Sequence, residues 1–344
     1  MKEGYIPKEQ RKNILLLTDD IRFPSGVGNV GKEIVLHTSH RYNWFNLGAA
    51  MNHPDKGKII DISEETNKLA GIKDASVKIQ PNDGYGDPKI LRNLRKQHKI
   101  DAIFLITDPR YFEWLFQIEN EVRNEIPIIY LNIWDDLPAP MYNKGFYESV
   151  DTLLGISKQT VNINKMVLGD KAKTKIIDYV PHGMNTEVFH PIIVEDLEFT
   201  TFKKQLNVED KNGNWIDFDS NFPSNHRGTY KKHGKWAYPV YPSSRSLKGS
   251  PKTPYIWDDT CDPEDASKQI MKLYKMSPEQ RKKSGMKGYK WAIGDEAGFT
   301  AKHQAQRVIK SIDKTFEDFQ PREKFEFINT NEYKIETVPH KLLY

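Results

Sequence analysis

An α/β architecture built on a parallel sheet is predicted by two observations. Short, solidly apolar runs recur at 13–18, 59–62, 101–106, 126–132, 152–156 and 175–180, and helix-like stretches separate them at 32–38, 88–98, 111–123 and 158–168. Strands that are apolar on both faces and alternate with helices need a sheet covered on both sides, hence parallel strands joined by crossovers. Ligands of such sheets bind beyond the carboxyl ends of the strands.

A third observation concerns the remainder of the chain. From 195 to 251 the composition turns to Asn, Lys, Gly, Pro, Ser and aromatics, and no alternation of strands and helices is legible. Helix signals then return. Asp262-Pro263-Glu264-Asp265 offers an N-cap followed by Pro at the first helical position, and Ala266, Ile270, Leu273 and Tyr274 share one face. Ser277-Pro278-Glu279-Gln280 reads as a capping box before a Lys/Arg-rich helix, and a last helix near 300–319 carries Val308, Ile309, Ile312, Phe316 and Phe319 on a stripe. Four segments follow: 1–190 as the sheet domain, 191–254 as an irregular shortened segment, 255–320 as a helical part, and 321–344 as a peripheral tail.

A chain of 344 residues suits two domains, or one large one. Its net charge of +4 is too mild to favour nucleic acid. Cys261 is the single cysteine, which excludes an intrachain disulfide and a cysteine-based zinc site. The polar start MKEGYIPKEQRKN does not read as a signal peptide, and runs such as AIFLI and IPIIYL are too short to span a bilayer. A cytoplasmic location is the expectation. The histidines form neither an H-x(3)-H pair nor HExxH, and Gly-x-Ser-x-Gly is missing, so zinc-hydrolase and α/β-hydrolase readings are unsupported.

The densest motif is 179–191, YVPHGMNTEVFHP. An apolar strand runs into a Pro-His-Gly turn in which Gly183 is expected to supply a positive φ. Phe189 offers an apolar anchor and Pro191 stiffens the exit. This spacing resembles the interdomain hinge of GT-B glycosyltransferases of the retaining, glycosyl transferase group 1 type. The capped helices, Gly285 and Gly288 within the basic one, and the aromatic Phe299 resemble the ending of the same family. The resemblance covers about 13–191 and 255–319. It implies a Rossmann-like acceptor domain, an abbreviated C-terminal donor domain, and a final helix that returns to the first domain. It also implies transfer of a sugar from a nucleotide-sugar co-substrate to a glycan, lipid or small-molecule acceptor, with no bound cofactor and no metal.

Residues 26–32, GVGNVGK, admit several readings. A dinucleotide fingerprint needs its first Gly at the strand end, but DDIRFPS intervenes after Thr18. A Walker loop needs Ser or Thr after Lys32, where Glu33 stands. In the resembling family a Gly-rich loop after the first strand faces the interdomain cleft, and Pro24, Gly26 and Gly28 fit that place. Backbone amides at a helix start suit an anion there. A turn with no further role is the alternative.

Asp135 and Asp136 follow an apolar strand, where the family lines the acceptor side of its cleft. A solvated loop is the alternative. His182 and Gly183 belong to the hinge motif. Asp19, Asp20, Arg22, Asp108 and Arg110 also follow strands and could reach sugar hydroxyls or remain solvated, whereas Trp257-Asp258-Asp259 reads as a loop. The family's donor-site marks, a Gly-Arg and Lys-Gly pair and a Glu-x(7)-Glu, find no counterpart. Lys248-Gly249 stands alone in a loop, and Glu187 and Glu195 sit in the hinge. No catalytic residue is assigned. A partner chain completing the donor half would account for the shortfall. So would a non-catalytic relic or partner subunit that only binds acceptor. An NAD-dependent oxidoreductase is the more distant reading.

Overall fold

The computed structural model describes residues 4–191, 234–251 and 253–323. The expected irregular segment lies mostly outside them, at 192–233, as does the tail beyond 323. The architecture is α/β, with an eight-stranded, mostly parallel sheet. Its strands are β1 (Lys12–Asp19), β2 (Tyr42–Ala49), β3 (Ile60–Asp61), β4 (Val77–Asn82), β5 (Ala102–Ile106), β6 (Ile128–Asn132), β7 (Thr152–Gly155) and β8 (Ile176–Tyr179). They lie in the order β3-β4-β2-β1-β5-β6-β7-β8, and only β3 runs antiparallel. The order reverses between β1 and β5, so the crevice of this fold opens beyond those two strands.

Alternation along each strand explains why the sheet needs cover on both faces. Leu15 and Leu17 of β1 join Ile103 and Leu105 of β5 in one core, while Ile14 and Leu16 join Phe104 and Ile106 in the other. The crossover helices include α1 (Gly26–Thr38), α2 (Ser63–Ala70), α3 (Pro88–Gln97), α4 (Glu113–Gln117), α5 (Glu119–Arg123), α6 (Lys144–Glu148) and α7 (Lys158–Leu168). Ser25 caps α1 by accepting from Gly28 N, Asp87 caps α3, and Ser157 caps α7.

Two strands, β2 and β4, fall where the apolar pattern predicts none, and the run at 59–62 contributes only the two-residue edge strand β3. Asn46 explains the first omission. It is fully buried in β2, where its side chain accepts from Ile21 N and donates to Leu16 O. Pro81 explains the second, since a proline inside a strand argues against a central position. Gly57 N donates to its carbonyl, and β3 ends before reaching it, so the missing N–H leaves no ladder partner unmet.

The second unit contains a hairpin of β9 (Pro242–Ser250) and β10 (Thr253–Cys261), then α8 (Pro263–Tyr274), α9 (Pro278–Ile293) and α10 (Ala301–Asp318). The hairpin corrects the expectation of irregular chain through 254 and places Trp257-Asp258-Asp259 in a strand. Cross-strand ion pairs, Arg245 with Asp259 and Lys248 with Asp258, hold its register, and these pairs are invisible until the register is known. Two helix starts fall where the capping signals place them, and the third falls near its expected position. Asp262, Ser277 and Thr300 are the N-caps, with a complete Ser277/Gln280 capping box.

Helix α10 lies against α1 and β8. Val308 and Ile312 are fully buried in the core cluster that holds Ile14 and Leu16. Each such side chain contributes about 1.5–3 kcal/mol by burial. Asp313 accepts from Arg41 and Tyr42, Ser311 donates to Asp178, and the Thr152 and Thr315 hydroxyls lie 2.6 Å apart.

Candidate functional site

The crevice beyond β1 and β5 is built from loops whose shapes the sequence dictates locally. At the end of β1 the chain bends flat over β2. A Cβ on Gly48 would lie 2.6 Å from Asp20 Cα, so β2 needs glycine there. Asp20 is fully buried and grips Arg22 through both carboxylate oxygens. Asp19 turns the other way. Its carboxylate accepts from Ser25 Oγ at 2.5 Å and from the Tyr85 hydroxyl at 2.6 Å. One carboxylate thus ties the capping residue of α1 to the loop after β4. Burial, and then the bond to Asp19, push the Tyr85 phenol well above its ordinary pKa.

Tyr85 packs against Tyr111 with ring centroids 4.8 Å apart and meets Phe112 edge-on. Just past the end of β5 the chain passes through Thr107 at φ 101°, a conformation that β-branched residues rarely adopt. Such a residue stores about 1–3 kcal/mol. The Tyr130 hydroxyl fixes it by donating to its carbonyl at 2.8 Å. Asp108 then caps the following turn and holds Arg110, whose guanidinium lies 5.8 Å from the centre of the Trp134 ring. The bond to Asp108 is the main reason the Arg110 pKa is raised.

Trp134 is positioned from below. The buried Asn132 accepts from Trp134 N and donates to Asn164 Oδ1 at 2.6 Å, and the indole N–H donates to Asp136 O. Beyond it, Asp135 is exposed and Asp136 half-buried. Desolvation raises the Asp136 pKa, and repulsion from Asp135 and Asp258 adds to it. Asp258 belongs to the hairpin, which docks here through Trp257 N donating to Leu137 O at 2.7 Å. Exposed aromatic side chains gather on these loops: Phe23 after β1, Tyr111 after β5, Tyr142 after β6 and Trp257 on the hairpin.

The six residues singled out by sequence occupy three places. Gly26 and Gly28 open α1. Gly28 is buried, and a Cβ there would crowd Ser25 Oγ at 2.8 Å and Asp20 O at 3.1 Å, so glycine lets the loop close over the helix start. Asp135 and Asp136 lie after β6, beside Trp134. His182 and Gly183 follow β8 at the far edge of the sheet. No hydrogen bond or ion pair among the described residues joins these three places. Gly183 does not adopt a positive φ, which corrects that expectation. Its lack of a side chain serves contact instead, since a Cβ would lie 2.6 Å from Ala301 Cα. Met184 N donates to Phe299 O and Ala301 N to Met184 O, forming a parallel bridge between hinge and final helix. His182 exposes much of its surface, yet the surrounding protein desolvates the ring and lowers its pKa. Phe189 is exposed rather than anchored.

Sequence reasoning missed Tyr85 and Thr107. The turn-rich stretch Asp83-Gly84-Tyr85-Gly86-Asp87-Pro88 was the available signal for Tyr85. Thr107 had none, because a backbone dihedral leaves no mark in the residue type.

A cavity of about 930 Å³ lies at the opposite, amino edge of β6–β8. Most of its cations are already engaged. Lys175 donates to the carbonyls of Glu148 and Val150 at the end of α6, and Arg123 pairs with Glu119 and Asp151. Burial lowers the Lys175 pKa to about 8. The Lys175 contacts neutralise the carboxyl end of α6 and the Arg123 pairs are internal ion pairs, so the crevice at the carboxyl edge is the better candidate.

Among the described residues no group of three or more His, Cys, Asp or Glu is placed to hold a metal, and no helix is long and apolar enough to cross a membrane. No protein-family model and no curated protein matches the chain. Among solved structures, a glycosyltransferase from Rickettsia africae ESF-5 is similar over 59% of this chain, at 13% identity and a TM-score of 0.35. The match covers 51% of that structure, so this chain spans about half its length. A likeness at that level fixes neither subtype nor chemistry.

Proposed function

We propose that the chain is a glycosyltransferase of GT-B type whose sheet domain binds a saccharide-bearing acceptor in the crevice beyond β1, β5 and β6. The carrying observation is the company kept at that edge. Tyr111, Tyr142 and Trp257 keep exposed ring surface on the loops and hairpin at the edge that also carries the carboxylates of Asp19, Asp108 and Asp136. Sugar rings offer C–H faces to stack on aromatics and hydroxyls to donate to carboxylates. The return of α10 to the sheet domain, which the hinge resemblance implies, supports the same reading.

A second reading has its own support: the chain binds acceptor without transferring sugar. Among the described residues the second unit consists of a hairpin and two helices before α10, with no second parallel sheet to hold a nucleotide sugar. Donor chemistry needs positive groups and helix starts around the departing diphosphate.

Calorimetric titration of the full chain separates the readings. UDP, GDP and their sugar conjugates are added first, then a series of oligosaccharides. Saturable micromolar nucleotide binding, about −8 kcal/mol, supports transfer. Saccharide binding without nucleotide binding at millimolar concentration supports the acceptor-only reading. If neither class binds, the glycosyltransferase proposal fails.

A further inference from the structure

The mild charge of the whole chain conceals a segmental asymmetry. Residues 263–293 contain eight Lys or Arg against Glu264, Asp265 and Glu279, a net charge of +5 where the whole chain carries +4. Five of these cations lie on α9, against its single acid Glu279. Helix α9 buries no residue, so the core does not dictate its outward face. Lys282, Lys283, Lys287 and Lys290 are exposed, and none has a carboxylate partner among the described residues. On the sheet unit, by contrast, several cations are matched: Arg92 with Glu121, Arg95 with Glu125, Arg110 with Asp108.

The unpaired lysines are ordered. Lys283, Lys287 and Lys290 stand four and seven positions apart, which puts them on one side of the helix along about 10 Å. Like charges at this spacing weaken an isolated helix, yet the helix is capped at full strength by Ser277 and Gln280. Four positions beyond Lys287, Trp291 keeps 37% of its surface exposed. Its ring is held edge-on to Phe299 at 5.5 Å and tilted over Trp236 at 5.9 Å. Two acids close by in the chain are already engaged: Glu279 accepts from Ser277, and Asp295 pairs with His303.

We infer that the outer face of α9 binds single-stranded nucleic acid, with the lysine row on the phosphate backbone and Trp291 as a stacking platform for a base. Charge complementarity calls for a polyanion, and a rigid aromatic beside a basic row is how strands are held without sequence readout. A bilayer fits less well. A helix lying in a membrane needs a broad apolar face to insert, and the exposed positions of α9 offer one aromatic among Lys, Gln, Glu, Gly and Pro. This inference stands apart from the saccharide crevice and from the expectation that overall charge sets.

The test is fluorescence anisotropy of a labelled oligothymidylate with the full chain between 50 and 200 mM salt. Four neutralised phosphates give a log–log salt slope of roughly −3. Charge reversal at Lys283→Glu, Lys287→Glu and Lys290→Glu is expected to remove most of that slope and reduce affinity at least ten-fold. The control reversal Lys68→Glu, Lys89→Glu and Lys165→Glu makes the same change on the sheet unit and is expected to bind as the parent does. Trp291→Leu, which keeps apolar packing, is expected to lose about ten-fold in affinity. Equal losses in the two triple variants would overturn the inference. So would binding to phosphatidylserine vesicles without binding to the oligonucleotide, or no binding at 50 mM salt.

Discussion

Replacing Gly183 with alanine places a methyl group 2.6 Å from Ala301 Cα and 2.9 Å from Ala301 N. Carbon atoms settle about 3.5–4.0 Å apart, so the start of α10 has to withdraw by about 1 Å. That movement stretches the two backbone bonds of the bridge, Met184 N to Phe299 O at 2.7 Å and Ala301 N to Met184 O at 2.9 Å. Overpacking of a filled site costs about 1–3 kcal/mol, and two weakened hydrogen bonds add about 1 kcal/mol. The expected loss is therefore about 2–4 kcal/mol, out of about 5–15 kcal/mol for a typical domain. Urea denaturation gives the total, and amide exchange gives the location. Protection should fall first in the opening turns of α10, while β1 and β5 hold theirs. A variant within about 0.5 kcal/mol of the parent would refute the reasoning, because relaxation at so close a backbone contact cannot be free.

Three further outcomes follow from the same structure. In α9, Gly285 has nothing within 4 Å of an added Cβ, whereas at Gly288 the Cβ would lie 2.7 Å from Trp236. Gly285→Ala should stabilise by about 0.5–1 kcal/mol and Gly288→Ala should destabilise, both read from thermal melts. Asp136 has a raised pKa, so its ionised form opposes folding, and that penalty appears as pH rises through the folded pKa. Asp136→Asn should therefore raise Tm at pH 7, and the gain should vanish below the ordinary carboxylate range. The pKa of Lys175 is lowered to about 8, so between pH 8 and its unfolded value near 10.5 the unfolded chain binds the extra proton. Stability should rise with pH across that window relative to Lys175→Met; parallel pH profiles for the two proteins would contradict it.

What the sequence disclosed depended on whether the cause was local. Caps at Asp262 and Ser277 are legible because the residues that make them are neighbours in the chain. So are the fully apolar strands β1, β5, β6 and β7, whose burial on both faces leaves an unbroken run. Strand β2 escaped because Asn46 is buried through partners on β1 and the loop after it, and β4 because Pro81 is tolerated by a short neighbour. The crevice was half legible. Asp19, Asp108 and Asp136 stand at strand ends, which any α/β reading marks. Tyr85, 66 residues from the Asp19 carboxylate it bonds, comes into view only with the topology. The basic face of α9 was in plain sight but averaged away, since acids elsewhere dilute it in the total.

The crossing of α10 has a consequence for how the protein comes into being. Tyr42 and Asp313, which share a hydrogen bond, are 271 residues apart. A ribosome adding about 5–20 residues per second reaches α10 only after the whole sheet has emerged. Until then the face of α1 and the sheet that will meet Val308 and Ile312 is bare apolar surface. The sheet domain is thus unfinished for most of its synthesis. A polypeptide ending at 191 leaves that surface exposed and should precipitate more readily than the full chain.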